Sequence, residues 1–343
     1  MVSRQELINN FLNAQKWSVI SRETIAEDAS FRRYERIINK KGSVVLMDAP
    51  PEKENVHAFE VVTKILKAYG LSVPEILERD VSNGLLLLED FGDHTYSKIL
   101  DFDPDKGRSL YCLAVDVLIH LHKVSMESEL MVMLPNYSTE LLLQEANIFL
   151  DWYLPQFSET VVSKTMKEHY NKLWEELLKE SSFADGVMVL RDYHVDNLML
   201  LPKRKGISAC GLLDFQDAVI GSGVYDLVSL LQDARRAIDS ELVIEMKERY
   251  FEAFKKKNDL KFGSRDQFDL TFSVLGANRH AKVLGIFTRL AVRDEKPGYV
   301  AHIPHVWKLL DQSLTHPRLN GLRSWFDDVI PKNVRLISKN IVS

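Results

Sequence analysis

Asp192 and Asn197 stand five positions apart in Val189-Leu190-Arg191-Asp192-Tyr193-His194-Val195-Asp196-Asn197-Leu198-Met199-Leu200, where a polar loop separates two apolar runs. Titratable and amide side chains packed this densely between segments that read as buried strands point to chemistry. Phosphoryl transfer asks for such a set. It needs a carboxylate that orients an attacking hydroxyl and accepts its proton, and oxygen ligands that hold Mg²⁺ against the phosphates. Asp192 fits the first role and Asn197 the second. Gly211-Leu212-Leu213-Asp214-Phe215-Gln216-Asp217 then ends another apolar strand in a carboxylate. A hairpin at this point sets Asp214 beside Asn197 over one metal, with Asp214 as the main Mg²⁺ ligand. Asp192, Asp196, Asn197 and Asp217 also have a plainer reading as turn formers, because such side chains bond the local backbone. The strand contexts and the added Asp214 favour the catalytic one.

The elements that must hold these groups are legible from periodicity. Residues 24–26, 34–39 and 43–47 read as strands, the last two joined by the turn Lys40-Lys41-Gly42. Pro50-Pro51 ends that sheet segment, and Phe59, Val62, Leu66 and Tyr69 share one face of the helix that follows. Residues 85–90 form a buried strand ending in acids, and turn chemistry begins at Phe91-Gly92-Asp93. Helical spacing then dominates over residues 105–124, 139–154, 163–180, 224–238, 241–257, 266–290 and 303–314, with strands only at 187–190 and 207–213. The pattern predicts an α+β chain: a small β-rich nucleotide-binding lobe over residues 1–90, a larger and mostly helical catalytic lobe over 91–343, and a cleft between them.

With 343 residues, 45% of them hydrophobic and 27% charged, the chain has material for a large core and for two lobes. A formal net charge of -5 with dispersed Lys and Arg argues against a nucleic-acid binder. Residues 1–11 lack the positive start and apolar core of a signal peptide, and no long uninterrupted apolar window occurs. No membrane contact and a cytoplasmic location are therefore expected. Cys112 and Cys210 lack disulfide or metal-finger spacing and are expected in the core.

Asp192-x4-Asn197 followed by Asp214-Phe215 resembles the catalytic and metal-binding loops of the protein kinases. The longer string from Leu213 to Ala218 and then Tyr225-Asp226-Leu227 resembles the aminoglycoside phosphotransferase and choline kinase superfamily, whose acceptors are small molecules. Asp28-Ala29-Ser30-Phe31-Arg32-Arg33-Tyr34, Met47-Asp48-Ala49-Pro50-Pro51, Leu88-Glu89-Asp90-Phe91-Gly92-Asp93 and Arg279-His280-Ala281-Lys282-Val283-Leu284-Gly285-Ile286-Phe287 are similar to bacterial anomeric kinases of N-acetylmuramate and N-acetylglucosamine used in cell-wall recycling. The resemblance implies the two-lobed protein-kinase-like fold, ATP and Mg²⁺, and an amino sugar as acceptor. It also implies a phosphate-covering loop over residues 28–33, an adenine-meeting hinge at Glu89 to Phe91, and Asp226 as a brace for the catalytic loop.

Small residues at Ala29 and Ser30 still permit close backbone approach, and the Ser30 hydroxyl can donate to an anion. The family's lysine on the third strand is missing, since Met47 or Asp48 stands there. Arg32 and Arg33 are the candidates to replace it as a phosphate clamp. His194, where small-molecule kinases often carry a histidine, is the second catalytic candidate, as a donor to the transferring phosphoryl group. Leu190 replaces a usual histidine, and Asp196 a usual basic residue. Arg279, His280 and Lys282 read equally as substrate ligands or as a salt-bridged helix face, and Trp152 as core or as a sugar wall. The rival readings are a kinase of choline, homoserine or an aminoglycoside, and a nucleotide-binding pseudokinase; the sequence leaves oligomeric state open.

Overall fold

The computed structural model describes residues 3–15, 17, 19–27, 31–40, 42–125, 129–158, 161–181, 186–255, 264–332 and 335. The strands in chain order are β1 (Ser21–Glu27), β2 (Arg33–Asn39), β3 (Gly42–Asp48), β4 (Ile76–Asp80), β5 (Leu85–Glu89), β6 (Val187–Val189), β7 (Leu198–Leu200), β8 (Cys210–Leu212) and β9 (Val219–Gly221). The helices are α1 (Arg4–Ala14), α2 (Val56–Ala68), α3 (Tyr96–Phe102), α4 (Gly107–Ser125), α5 (Thr139–Ile148), α6 (Leu154–Phe157), α7 (Lys164–Glu180), α8 (Val224–Leu231), α9 (Ser240–Lys255), α10 (Arg265–Val292), α11 (Ile303–Ser313) and α12 (Asn320–Val329). The chain divides into two compact units, Met1–Val117 with Val195–Ala218, and Leu118–His194 with Val219–Ser343.

The first unit is built on a five-stranded antiparallel sheet in the order β1-β2-β3-β5-β4. Side chains alternate across a strand, so β3 and β5 can be apolar on both faces only if both faces are covered. Ile37, Val44, Leu46, Leu85 and Leu87 pack on Ile8, Phe11 and Leu12 of α1. Met47, Leu86 and Leu88 occupy the alternate positions and are also buried. The start of α1 is fixed by a capping box in which Ser3 and Glu6 satisfy each other's backbone N–H groups. Helix α2 begins at Asn55, whose side chain accepts from His57 and Ala58 N–H. The β7–β8 hairpin belongs to this unit and is anchored by Leu200 N–H donating to His94 O and Leu212 N–H to Ser72 O, both 2.8 Å.

The second unit is helical apart from the β6–β9 pair. Helix α10 runs for 28 residues and is buried on nearly every side, as expected of a helix that other helices surround. Gly285 lets it approach the end of α5, since a Cβ there would lie 2.3 Å from the Ile148 carbonyl oxygen. At that point α5 widens into a single π-turn over Phe149–Tyr153 before continuing as α6.

Several expectations are corrected in detail. The helix expected over 224–238 stops at Leu231, because the Asp233 carboxylate accepts from Arg235 N–H at 2.8 Å and so offers the backbone a competing turn. The strand expected over 207–213 shrinks to Cys210–Leu212 behind a 3₁₀ turn. Strands β7 and β9 add to the two expected beyond residue 91. Cys210 is fully buried, whereas Cys112 is partly exposed on α4. No helix among the described residues is long and apolar enough to cross a membrane.

Candidate active site

In the first unit, the β7–β8 ladder continues one pair beyond its strands: Leu213 N–H donates to Asn197 O at 2.9 Å. That pairing brings Asn197 to Asp214, with Asn197 Nδ2 at 3.4 Å from Asp214 Oδ2. Asp214 adopts a left-handed backbone, φ 55°, and among the described residues only Arg191 and Glu295 share this among non-glycines. Such conformations cost energy and persist where the surroundings enforce them. Enforcement here comes from Phe215, buried and stacked on Phe59 of α2 at 5.0 Å between centroids.

Gln216 Nε2 donates to Asp214 Oδ1 at 2.9 Å, and an Arg32 terminal nitrogen stands 3.4 Å from the same oxygen. Arg32 also lies 3.8 Å from Glu54 and 3.9 Å from Asp217. Burial works against its charge, but Tyr34, Asp214, Glu54 and Asp217 outweigh that and raise its pKa. Asp214 and the Asn197 amide form an oxygen-donor pair of the kind that holds Mg²⁺ together with phosphate oxygens and waters. No group of three or more His, Cys, Asp or Glu suited to a metal occurs among the described residues.

The two arginines do not converge. Arg33 is exposed at the start of β2, opposite Asp48 and Glu27, whereas the Arg32 side chain is only 10% exposed. Asp48 is taken by Arg4 of α1, at 2.8 and 2.5 Å, and Met47 is buried. Glu89 accepts from Arg204 at 2.5 Å, and the Arg204 guanidinium sits 5.1 Å above the Phe91 ring. Arg36 fixes the turn after them through Asp90 (2.7 and 3.1 Å), Asp93 (3.0 Å) and Gly92 O (3.2 Å). Ser30, together with Asp28 and Ala29, lies outside the described residues.

In the second unit, Asp192 follows Arg191, whose φ is 70°. The turn is held from below by Asp226, fully buried, whose two oxygens accept from Leu190 N–H at 2.7 Å and Arg191 N–H at 2.8 Å. Behind Asp226 lies His122, with Nε2 at 3.8 Å, and His122 Nδ1 is 2.7 Å from the Tyr250 hydroxyl. Gly223 makes room for this pair; a Cβ there would meet His122 Nδ1 at 2.6 Å and the Tyr250 oxygen at 2.8 Å. Leu190 itself is buried, so an imidazole reaches this network from α4 and not from the position before the catalytic loop. Sequence reading missed His122, Tyr250 and Glu145, because only tertiary packing gives them partners.

Glu145 gathers three donors: Arg191 at 2.5 Å, Lys282 at 2.9 Å and the Tyr137 hydroxyl at 2.5 Å. Arg279 donates to Arg191 O at 3.0 Å and stands 3.6 Å from Asp192. Arg279 and Lys282 are therefore buried members of this network and not a solvated helix face. Burial raises the Asp192 pKa, but Arg279, Lys282, His194 and Arg191 override it and hold the carboxyl at about 2. His194 is buried, and that burial lowers its pKa despite Asp233 and Asp192. Its ring is neutral near pH 7. Trp152 lies half-buried in the π-turn with Arg293 6.0 Å from its ring.

The model of the phosphotransferase enzyme family matches residues 21–260. A Caulobacter vibrioides N-acetylmuramate/N-acetylglucosamine kinase is 32% identical over 95% of this chain and 96% of its own length. A kinase of the same name from Neisseria meningitidis is 35% identical over 81% of each. Among solved structures, choline kinase LicA from Streptococcus pneumoniae superposes with a TM-score of 0.61 at 13% identity, covering 90% of this chain and all of that one. The ADP-bound aminoglycoside phosphotransferase APH(2'')-Ib reaches 0.57 at 14% identity over 90% of this chain and 98% of that one. These neighbours carry the α+β, protein-kinase-like fold expected from the sequence. With matches spanning most of its length, the chain belongs to the phosphotransferase enzyme family.

Proposed function

We propose that this chain moves the terminal phosphoryl group of ATP onto the anomeric hydroxyl of N-acetylmuramate or N-acetylglucosamine, giving a sugar 1-phosphate in the recycling of cell-wall sugars. The observation that carries the phosphotransfer reading is the Asn197–Asp214 pair at the end of the β7–β8 hairpin, an oxygen-donor set suited to Mg²⁺ on a nucleotide. The two sugars come from the names of the Caulobacter vibrioides and Neisseria meningitidis relatives.

Asp192 is the group that orients the acceptor hydroxyl and takes its proton, which its ionised state favours. Asn197 and Asp214 are the residues that would hold Mg²⁺, whose charge, when present, offsets that of the phosphates. Arg32 stands in for the missing lysine: it faces Asp214 and Glu54, and its fork suits phosphate oxygens. Ser30, Glu89 and Phe91 are assigned to nucleotide binding, and His194 to the transferring phosphoryl group as a neutral donor. Asp226 braces the catalytic loop through its bonds to Leu190 and Arg191. The chain is proposed to work in the cytoplasm on free sugars, without nucleic acid or membrane.

ADP release from Mg-ATP, measured with N-acetylmuramate, N-acetylglucosamine, choline and kanamycin in turn, tests the reading. The expected result is release with one or both sugars only. Release with choline or kanamycin and not with the sugars overturns the substrate assignment.

A further inference from the structure

Arg235 differs from Arg191, Arg279 and Lys282, the cations around Asp192, in having no carboxylate. Arg191 and Lys282 are spent on Glu145, and Arg279 donates to the Arg191 carbonyl beside Asp192. Arg235 is exposed, and no ion pair reaches it among the described residues. Its backbone is nevertheless fixed. The N–H is held by the buried Asp233 carboxylate at 2.8 Å, and the Asp233 carbonyl lies 3.0 Å from His305 Nε2.

The guanidinium sits over an aromatic floor, 5.6 Å from the Phe287 centroid and 5.9 Å from that of Tyr299, with the two rings 5.2 Å apart. At an exposed site such contacts stabilise little. They do order the side chain, so less freedom is lost when a ligand arrives. The segment leading to Arg235 runs along α10, with the Gln232 carbonyl 3.4 Å from His280 Nε2. Eight residues of α10, about 12 Å, separate Arg279 at Asp192 from Phe287 under Arg235. Arg235 is also among the charges that bear on His194, two residues past Asp192.

An ordered cation without an anion, beside rings and a short way from the proposed base, calls for an acidic ligand that also has an apolar face. The two sugars differ in this respect: N-acetylmuramate carries a lactyl carboxylate on O3, several bonds from its anomeric hydroxyl, and N-acetylglucosamine carries a hydroxyl there. We propose that Arg235 binds the acceptor's carboxylate through its guanidinium fork, with Phe287 and Tyr299 beneath, and sets a preference for N-acetylmuramate. The inference rests on the sugar-kinase reading above.

The test compares kcat/KM for N-acetylmuramate, its methyl ester and N-acetylglucosamine in wild type, R235Q and R235K. The wild type is expected to favour the acid over the ester by about tenfold or more, expressed in KM, as loss of a charge-assisted bond implies. R235Q reduces that ratio to about one and leaves N-acetylglucosamine within about twofold, and R235K restores part of the ratio. An acid-to-ester ratio that R235Q leaves unchanged, or an equal loss on both sugars, overturns the role of Arg235 while the sugar-kinase reading stands. A wild type that phosphorylates neither sugar overturns both.

Discussion

A carboxylate serves as a base only if it is ionised and held in position, and the neighbours of Asp192 supply both conditions. Arg279, Lys282 and Arg191 hold its pKa near 2 against the cost of burial. Asp192→Asn keeps size and shape but removes the proton acceptor, so kcat is expected to fall about 10²–10⁴-fold with nucleotide affinity unchanged. Steady-state kinetics with parallel nucleotide titration checks this. The same shift sets a pH expectation. A depressed carboxylate pKa gives a contribution that is complete above the unfolded value near 4 and is lost only as pH falls through about 2. His194, whose pKa burial lowers from the ordinary imidazole value, is neutral around pH 7. At saturating Mg-ATP, kcat should therefore be level between about pH 6.5 and 8; an acid limb there that disappears in His194→Gln contradicts the neutral ring. Arg32 and Arg33, equivalent in sequence, are not equivalent in the fold. Arg32→Ala should weaken ATP binding about tenfold or more, and Arg33→Ala should leave it unchanged, as isothermal titration will show.

At the scale of the element, the hairpin and the buried brace decide where these side chains lie. Replacing Asp226 by Ala strands the Leu190 and Arg191 N–H groups in a dry interior and is expected to cost about 2–5 kcal/mol, seen as a lower urea midpoint. Gly285→Ala sets two effects against each other. Helix propensity gains about 1 kcal/mol, but a Cβ 2.3 Å from the Ile148 carbonyl oxygen forces backbone movement costing about 1–3 kcal/mol; net destabilisation is expected. Period and turn signals made most helices and the sheet legible: α10 from its apolar length, β5 from four leucines, the hairpin from two apolar runs around a polar loop. Other elements escaped for identifiable reasons. Strand β4 is an edge strand with three of five residues exposed, so no apolar alternation marks it. Helix α1 is short and mostly polar, although its capping residues, Ser3 and Glu6, were in plain sight. Asp192, Asn197 and Asp214 were legible as candidates because each is a polar residue set beside an apolar run. Glu145, His122 and Tyr250 were not, because their partners are 46, 104 and 128 residues away in Arg191, Asp226 and His122.

For the molecule as a whole, an acidic net charge with dispersed Lys and Arg already argued against a nucleic-acid binder. The family fold supports many acceptors, so it specifies phosphotransfer but not the hydroxyl that receives the phosphate. That hydroxyl is the central claim. Phosphorus NMR of the product formed from Mg-ATP and N-acetylmuramate or N-acetylglucosamine reads it directly, with Asp192→Asn as control. The account predicts a phosphate resonance split by the anomeric proton, formed by the wild type and absent with the variant; a phosphate on another sugar carbon, or the same signal from Asp192→Asn, contradicts it.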